Sequence, residues 1–234
     1  MKGKLYLLPT PIGDGDVFEV IPLYNKTIID SLRIFVVEEI RTARRFLRKI
    51  SPDFPIDDCQ FYILNEHTSQ NIDLNPVLQH VIDGKNIGII SEAGLPCIAD
   101  PGSELVAAAH QKDIAVVPLT GPSSIAMTLM ASGFCGQNFA FHGYLPTNKT
   151  ELRHKIHQLE QNSQQQTQLF IEAPYRNNQL FDMLLKECKS GTKLCIACNI
   201  TQKDEYIKTK TISQWRKNPP PPLHKKPSVF AVGG

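Results

Sequence analysis

The chain has no apolar run approaching the roughly 20 residues that a membrane-spanning helix needs, so no transmembrane segment is expected. It has no excess of one charge either: 25 lysines and arginines face 23 aspartates and glutamates, a formal net charge of +2. Bulk electrostatics therefore do not demand a nucleic acid, and any such partner must be read from a local patch. The seven histidines include no His-x-x-x-His pair and no His/Cys cluster, and there is no Gly-x-Ser-x-Gly elbow. Metal hydrolases and serine hydrolases are thereby disfavoured. Met1-Lys2-Gly3-Lys4 leads into a strand-like run without signal-peptide anatomy. The six cysteines lie scattered at 59, 97, 135, 188, 195 and 198. In a chain of 234 residues this pattern fits reduced thiols in a cytoplasmic protein better than a disulfide framework. Cys195-Ile196-Ala197-Cys198 matches Cys-x-x-Cys, but a strand would point the two sulfurs to opposite faces. No second pair stands nearby to complete a zinc site, so no metal is expected.

What is present is concentrated in 87–124, a stretch punctuated by glycine and proline. The strand-like Ile87–Ile90 ends in Ser91-Glu92-Ala93-Gly94-Leu95-Pro96, and Asp100-Pro101-Gly102 follows at once. A second strand, Ile114–Val117, ends in Pro118-Leu119-Thr120-Gly121-Pro122-Ser123-Ser124. Both strands empty into loops whose residues bring backbone close to a ligand. In parallel α/β sheets ligands sit at the carboxyl ends of strands, so the stretch points to a small-molecule site and an enzyme. Glu92 is a carboxylate placed to accept hydrogen bonds from a ribose or an amine, and Gly94 leaves room for a flat ring or a methyl donor. The earlier loop Thr10-Pro11-Ile12-Gly13-Asp14-Gly15 follows the first strand, but it lacks the dinucleotide fingerprint and the P-loop lysine.

Strands alternate with helices along the chain. Strands are predicted at Lys4–Leu8, Ile34–Val37, Gln60–Leu64, Ile87–Ile90, Ile114–Val117, Asn138–His142, Gln168–Glu172, Lys193–Ile200, Tyr206–Thr211 and Ser228–Val232. Helices are predicted at about Pro22–Leu32, Glu38–Ile50, Asn75–Asp83, Ser103–Gln111, Ser123–Ser132, Glu151–Gln161 and Asn178–Lys189. The alternation argues for α/β architecture with a mostly parallel sheet. The pattern restarts near Pro118–Gly121, which predicts two α/β domains, 1–118 and 122–234, with mostly parallel or mixed sheets and a cleft between them. Gln158–Gln168 reads as a polar helix end plus a loop, and Pro219–Pro222 as a stiff surface loop.

Arg41, Arg44, Arg45 and Arg48 fall at i, i+3, i+4 and i+7 and share one helix face, while Ala43, Phe46, Leu47 and Ile50 share the other. A four-arginine stripe suits a phosphate backbone; a solvated helix face is the bland alternative. Glu38 and Glu39 stand at the start of that helix, where complementing its dipole competes with any catalytic role. Ser123 and Ser124 open a helix and read as caps or ligand-binding hydroxyls.

The motifs Tyr6-Leu7-Leu8-Pro9-Thr10-Pro11-Ile12-Gly13, Glu38-Glu39-Ile40-Arg41-Thr42, Ser91-Glu92-Ala93-Gly94-Leu95-Pro96 with Asp100-Pro101-Gly102, Pro118-Leu119-Thr120-Gly121-Pro122-Ser123 and Gly143-Tyr144-Leu145-Pro146 occur in this order. Together the set resembles the tetrapyrrole (corrin/porphyrin) methylase superfamily. Within it, the chain looks most like the branch that methylates a cytidine ribose 2′-oxygen of small-subunit ribosomal RNA. The resemblance covers nearly the whole chain. It implies two α/β domains with S-adenosylmethionine in the cleft between them, and a homodimer. It assigns to the cofactor Pro11 and Ile12; Glu92, Ala93 and Leu95; and Thr120, Gly121, Ser123, Ser124 and Ile125. Ala173, Ile200 and Pro227 would close the pocket from the second domain. For methyl transfer, Glu38, Glu39 and Arg41 are the candidate catalytic residues near the acceptor, with Arg44, Arg45 and Arg48 contacting the ribosomal RNA or small ribosomal subunit. Some positions depart from that branch. It usually carries Asp at Glu92, Thr at Leu95, Glu-Asp-Thr-Arg at 38–41, an Asn-Leu pair at Asp14-Gly15, and Glu-Leu-Thr-Lys near 199–203.

Three functions are consistent with these residues. The first is methyl transfer to a ribose oxygen of ribosomal RNA. The second is methylation of a tetrapyrrole precursor, whose propionates the arginines would also suit. The third is a degenerate paralogue that binds S-adenosylmethionine or RNA without transfer.

Overall fold

The structure is a computed structural model that describes residues 1–64 and 73–233. The chain divides into two compact units, Met1–Ser123 and Ser124–Gly234.

The first unit is built on strands β1 (Lys4–Leu8), β2 (Ile34–Val37), β3 (Gln60–Ile63), β4 (Ile87–Ile90) and β5 (Ala115–Pro118). All pair in parallel, in the order β3-β2-β4-β1-β5. Helices α1 (Leu23–Ser31), α2 (Ile40–Ile50), α3 (Asn75–Ile82) and α4 (Ser103–Gln111) form the crossovers that parallel neighbours require. The apolar runs Ile-Phe-Val-Val of β2 and Ile-Gly-Ile-Ile of β4 are buried throughout, as strands covered on both faces must be. The edge strands β3 and β5 are only half-buried, and Pro118 is tolerated because β5 has an open side. Alternation along β1 sends Tyr6 and Leu8 into a core with α2 residues Ala43, Phe46, Leu47 and Ile50. Leu5 goes to the opposite core, with Val77, Leu78, Val81 and Leu105 of α3 and α4.

The second unit has strands β6 (Phe139–Tyr144), β7 (Thr167–Ile171), β8 (Lys193–Cys198), β9 (Tyr206–Thr211) and β10 (Ser228–Gly233), ordered β6-β7-β10-β8-β9. Helices α5 (Ser124–Ser132), α6 (Lys149–Asn162), α7 (Asn177–Glu187) and α8 (Ile212–Lys217) cover it. Here the sheet is mixed: β6 and β7 are parallel, while β10 runs antiparallel to β7 and β8, and β8 antiparallel to β9. The expectation of mostly parallel or mixed sheets thus holds, with the first sheet parallel and the second mixed. The reason was available in the sequence, because the link from β8 to β9 is too short for the dozen or more residues of a crossover.

Helix α8 was not anticipated. Its signal is Thr211-Ile212-Ser213-Gln214, a capping box in which the Thr211 side chain accepts from the Gln214 backbone and the Gln214 side chain accepts from Thr211 N. The helix α2 begins at Ile40 rather than Glu38, with Glu39 as its N-cap, and α1 begins after Pro22. Strand alternation separates the two thiols of Cys195 and Cys198 into different cores, Cys195 beneath α5 and Cys198 beneath the helices α6–α8. Burial raises the pKa of both thiols. No group of three metal-ligating side chains occurs among the described residues. No helix among them is long and apolar enough to cross a membrane.

Trp215 anchors the larger core of the second unit. It is buried, meets Phe181 edge-on at 5.7 Å, and its Nε1 donates to Leu194 O at 3.0 Å. Truncation to alanine leaves a large cavity and an unpaired carbonyl, so Trp215→Ala is expected to lower unfolding free energy by about 3–5 kcal/mol. Urea denaturation followed by far-UV circular dichroism measures this, and a loss under 1 kcal/mol would contradict the packing described.

Candidate functional site

Three loops leave the carboxyl ends of the adjacent strands β4, β1 and β5 in the first unit, and backbone contacts knit them together. Thr10 N donates to Gly94 O at 2.9 Å and Gly94 N donates to Thr10 O at 3.1 Å, a reciprocal pair between the loops after β1 and β4. Gly94 sits at φ +84°, and a Cβ there would lie 3.2 Å from Ile12 Cγ2 and 3.5 Å from Pro122 O. That position requires glycine, because a side chain would be strained in the left-handed region and would crowd Ile12. Gly121 serves the third loop: a Cβ would lie 2.3 Å from Pro9 Cβ. Asn25, buried on α1, donates from Nδ2 to Thr120 O at 2.8 Å and fixes that loop from below.

The loop after β4 is also constrained internally. Ser91 Oγ donates to Asp100 Oδ2 at 2.6 Å, while Cys97 and Ala99 adopt φ +65° and +61°. Strained backbone of this kind persists only where the surroundings over-determine it, and it clusters at ligand sites. Burial, with Asp100 and Glu104 adding to it, pushes the Cys97 thiol up to about 11, so Cys97 is a neutral thiol at physiological pH.

The sequence-predicted residues fall on this framework as follows. Pro11, Ile12, Leu95, Gly121 and Ser123 are half-buried on the three loops, and Glu92, Ala93 and Thr120 are exposed there. Ser124 and Ile125 open α5, the first element of the second unit, where Ile125 packs beneath the sheet. Glu38 is half-buried after β2; Glu39 is exposed and its Oε1 accepts from Arg41 N at 3.1 Å as the helix cap. Thr42 then connects this motif to the loop edge, since its Oγ1 lies 2.6 Å from Glu92 Oε1 and 2.9 Å from Glu39 O. With one proton it donates to one of the two at a time. Arg41, Arg44, Arg45 and Arg48 are all exposed and line a shallow hollow of about 540 Å³ with Ile56 and Glu39. Arg44 also meets Asp57 at 3.1 Å, an exposed pair worth only about 0–1 kcal/mol, so the face stays cationic.

In the second unit Ala173, Ile200 and Pro227 lie on three loops at one edge of the sheet. Asn199 N donates to Pro227 O at 3.0 Å, and Lys225 N to Pro174 O at 3.2 Å. Glu172 is buried against Arg176 Nη2 at 2.9 Å and also accepts from Ala173 N at 2.8 Å. Asn199 and Thr201 adopt φ +49° and +68°, unusual for a β-branched residue in the case of Thr201. Asn199 Nδ2 and Lys226 Nζ both donate to Asp204, the latter at 2.6 Å. These bonds hold the Asp204 carboxyl below its ordinary value of 3.8 and raise Lys226 above 10.5. Sequence reasoning did not single out Thr10, Thr42, Asn25, Ser91, Asp100 or Asp204. Their roles depend on partners far away in the chain. The exceptions are Ser91 and Asp100, which pair nine residues apart, and Asp204, whose partner Asn199 is five residues away.

The profile of the tetrapyrrole (corrin/porphyrin) methylases matches residues 4–215. The chain belongs to this family. Among its relatives, the Ribosomal RNA small subunit methyltransferase I of Halalkalibacterium halodurans is 33% identical over 187 residues, covering 79% of this chain and 60% of the relative. The Bacillus subtilis protein of the same name is 29% identical over 212 residues, covering 91% of this chain and 68% of the relative. A third, from Streptococcus pyogenes serotype M6, is 30% identical over 217 residues, covering 91% and 70%. The chain therefore spans about two thirds of the length of these methylase relatives. The solved structure of the methyltransferase CobJ superposes with a TM-score of 0.60 over 99% of this chain and 94% of that one, at 14% identity, which establishes the methylase fold.

Two substitutions test the construction of the loops. Gly121→Ala should destabilise the protein by about 1–3 kcal/mol, because Pro9 is a rigid ring and cannot move aside; a melting temperature equal to wild type would refute this. Asp204 has a depressed pKa when folded, so its contribution is present above the unfolded value and is lost as pH falls through the folded one. Asp204→Asn should therefore lower the melting temperature at pH 7 and converge with wild type once the pH falls below the depressed folded pKa of Asp204, a difference that calorimetry across pH would show.

Proposed function

We propose that this chain is an S-adenosylmethionine-dependent methyltransferase acting on a ribose 2′-oxygen of small-subunit ribosomal RNA. The observation that carries the reading is the Thr42–Glu92 contact, which fastens the arginine face of α2 to the glycine-built loop edge. One helix thus joins a surface suited to phosphates with loops suited to a small molecule. The relatives' printed name, a ribosomal RNA small subunit methyltransferase, supports the choice of acceptor.

The loops fit the donor. Gly94 and Gly121 let the three loops pack closely on one another, and the exposed Glu92 carboxylate is suited to accept hydrogen bonds from a ribose or an ammonium group. Pro11, Ile12, Ala93, Leu95 and Thr120 would surround it. S-adenosylmethionine, when bound, supplies an electrophilic methyl group on a sulfonium that departs without protonation.

The protein's remaining tasks are positioning and removal of the acceptor proton. A ribose hydroxyl is a poor nucleophile at neutral pH and gains from a nearby carboxylate. Glu38 and Glu39 are the carboxylates placed for that role, Glu39 also capping α2 through Oε1. Arg41 would hold a neighbouring phosphate, with Arg44, Arg45 and Arg48 extending the contact.

Isothermal titration with S-adenosylmethionine should show micromolar binding, weakened at least about tenfold by Glu92→Ala, as expected for a charge-assisted contact. Wild-type protein incubated with small ribosomal subunits lacking the methyl group should yield a 2′-O-methylated nucleoside by mass spectrometry. Glu38→Gln should cut kcat by about 10²–10⁴-fold with KM for the donor unchanged. A methylated base in place of a methylated ribose, or no methylated RNA, would sink the reading.

A further inference from the structure

A second cavity lies in the first unit beside the loop edge, sharing Pro11 and Glu92 with the loops proposed to hold the donor. It measures about 210 Å³ and is bounded by the loop after β1, the start of the loop after β4, and the flank of α2. Its polar wall is formed by Thr10, Thr42, Arg45, Lys49, Ser91 and Glu92. Thr42, Arg45 and Lys49 stand at i, i+3 and i+7 on α2, so they project along one strip of the helix. Arg45 therefore faces two ways: it borders the outer arginine hollow and this inner cavity. Lys49 borders the inner cavity alone and did not stand out in the sequence.

The informative atom is Thr10 Oγ1. Thr10 is 4% exposed and its hydroxyl has no hydrogen-bond partner, although its backbone is fully engaged with Gly94. An unpaired buried hydroxyl costs about 1–3 kcal/mol, and the fold obtains nothing from it that valine would not supply. Its position in a cavity wall lined with further hydroxyls gives it a use: it is a donor or acceptor reserved for a ligand.

The composition of the wall defines that ligand. The hydroxyls of Thr10, Thr42 and Ser91 suit a sugar's hydroxyl groups, and Arg45 and Lys49 suit a phosphate. Asp14 at the rim makes the whole lining close to neutral, so a ligand of phosphate alone matches it less well than one carrying both groups. The volume falls below the roughly 300–1,000 Å³ of pockets that take a whole small molecule, which limits the occupant to a fragment of a larger one. We propose that this cavity seats the ribose-phosphate of one nucleotide of the RNA acceptor, with the sugar hydroxyl reaching Thr10 Oγ1 and the phosphate held by Arg45 and Lys49. The proposal rests on the RNA reading above and deepens it, because Thr10 becomes the residue that distinguishes ribose from deoxyribose.

The test uses the full chain, fluorescein-labelled oligocytidylate, and its 2′-deoxy counterpart, with binding followed by fluorescence anisotropy across salt concentrations. Thr10→Val is isosteric and removes only the unpaired hydroxyl, so its melting temperature should equal or exceed that of wild type. It should weaken ribo-oligonucleotide binding by about threefold to tenfold and leave the deoxy probe unaffected. Lys49→Gln should weaken both probes and reduce the slope of log affinity against log salt by about 0.7, the value for one phosphate contact on a single strand. If wild type binds the ribo-oligonucleotide while Thr10→Val and Lys49→Gln bind it with unchanged affinity and slope, the cavity proposal fails and the RNA reading stands. If wild type binds neither probe, both fail. A lowered melting temperature for Thr10→Val would show that the hydroxyl serves the fold and would overturn the proposal as well.

Discussion

The reciprocal backbone pair between Thr10 and Gly94 is the contact on which the first unit's functional edge depends. Two loops leaving neighbouring parallel strands have no ladder to hold them beyond the last paired residues, Leu8 and Ile90. The pair extends the sheet's register past its end by one bridge, and in the opposite sense, because both chains have turned. Gly94 can make it only at positive φ, and its missing side chain admits Ile12 and the carbonyl of Pro122. The backbone of these two loops is consequently positioned by sheet geometry.

Charge is organised around the same edge. Glu39 caps α2 and Thr42, one turn on, reaches Glu92. A rotation of α2 would move its arginines and would also break its link to the loop after β4. The apolar face of α2 resists that rotation, since Phe46, Leu47 and Ile50 are buried in the core, each contributing about 1.5–3 kcal/mol. The exposed arginine face owes its fixed orientation to the buried one.

The second unit handles the same problem with different chemistry. Its sheet is mixed, so the loops after β7 and β8 share an edge with the segment entering β10. Side chains add to the backbone bonds of Asn199 N to Pro227 O and Lys225 N to Pro174 O: Asn199 and Lys226 meet on Asp204, and Asn177 reaches Lys226 O. Positive-φ residues gather here as they do after β4, and the left-handed Asn199 is the residue that ends β8 and turns the chain toward Asp204.

Hydrophobic runs and their punctuation made most elements readable from the sequence. Ile87–Ile90 could only be a strand buried on both faces, and Ala43, Phe46, Leu47 and Ile50 could only be one side of a helix. Gly94 and Gly121 were recognisable as points of close approach because glycine at a strand end has few other reasons to be there. Residues reserved for pairing across the sheet were not readable. Thr10 and Gly94 lie 84 positions apart in sequence, and Thr42 and Glu92 lie 50 apart, so no local pattern links them. Sequence alone determined which segments would be strands and helices, and which loops would carry small residues, because those depend on periodicity and backbone freedom. Tertiary structure alone decided strand order in the second sheet, the partners of each loop polar group, and the unpaired state of Thr10 Oγ1. Each of these is a property of what lies opposite in space, and a chain read in one dimension does not contain it.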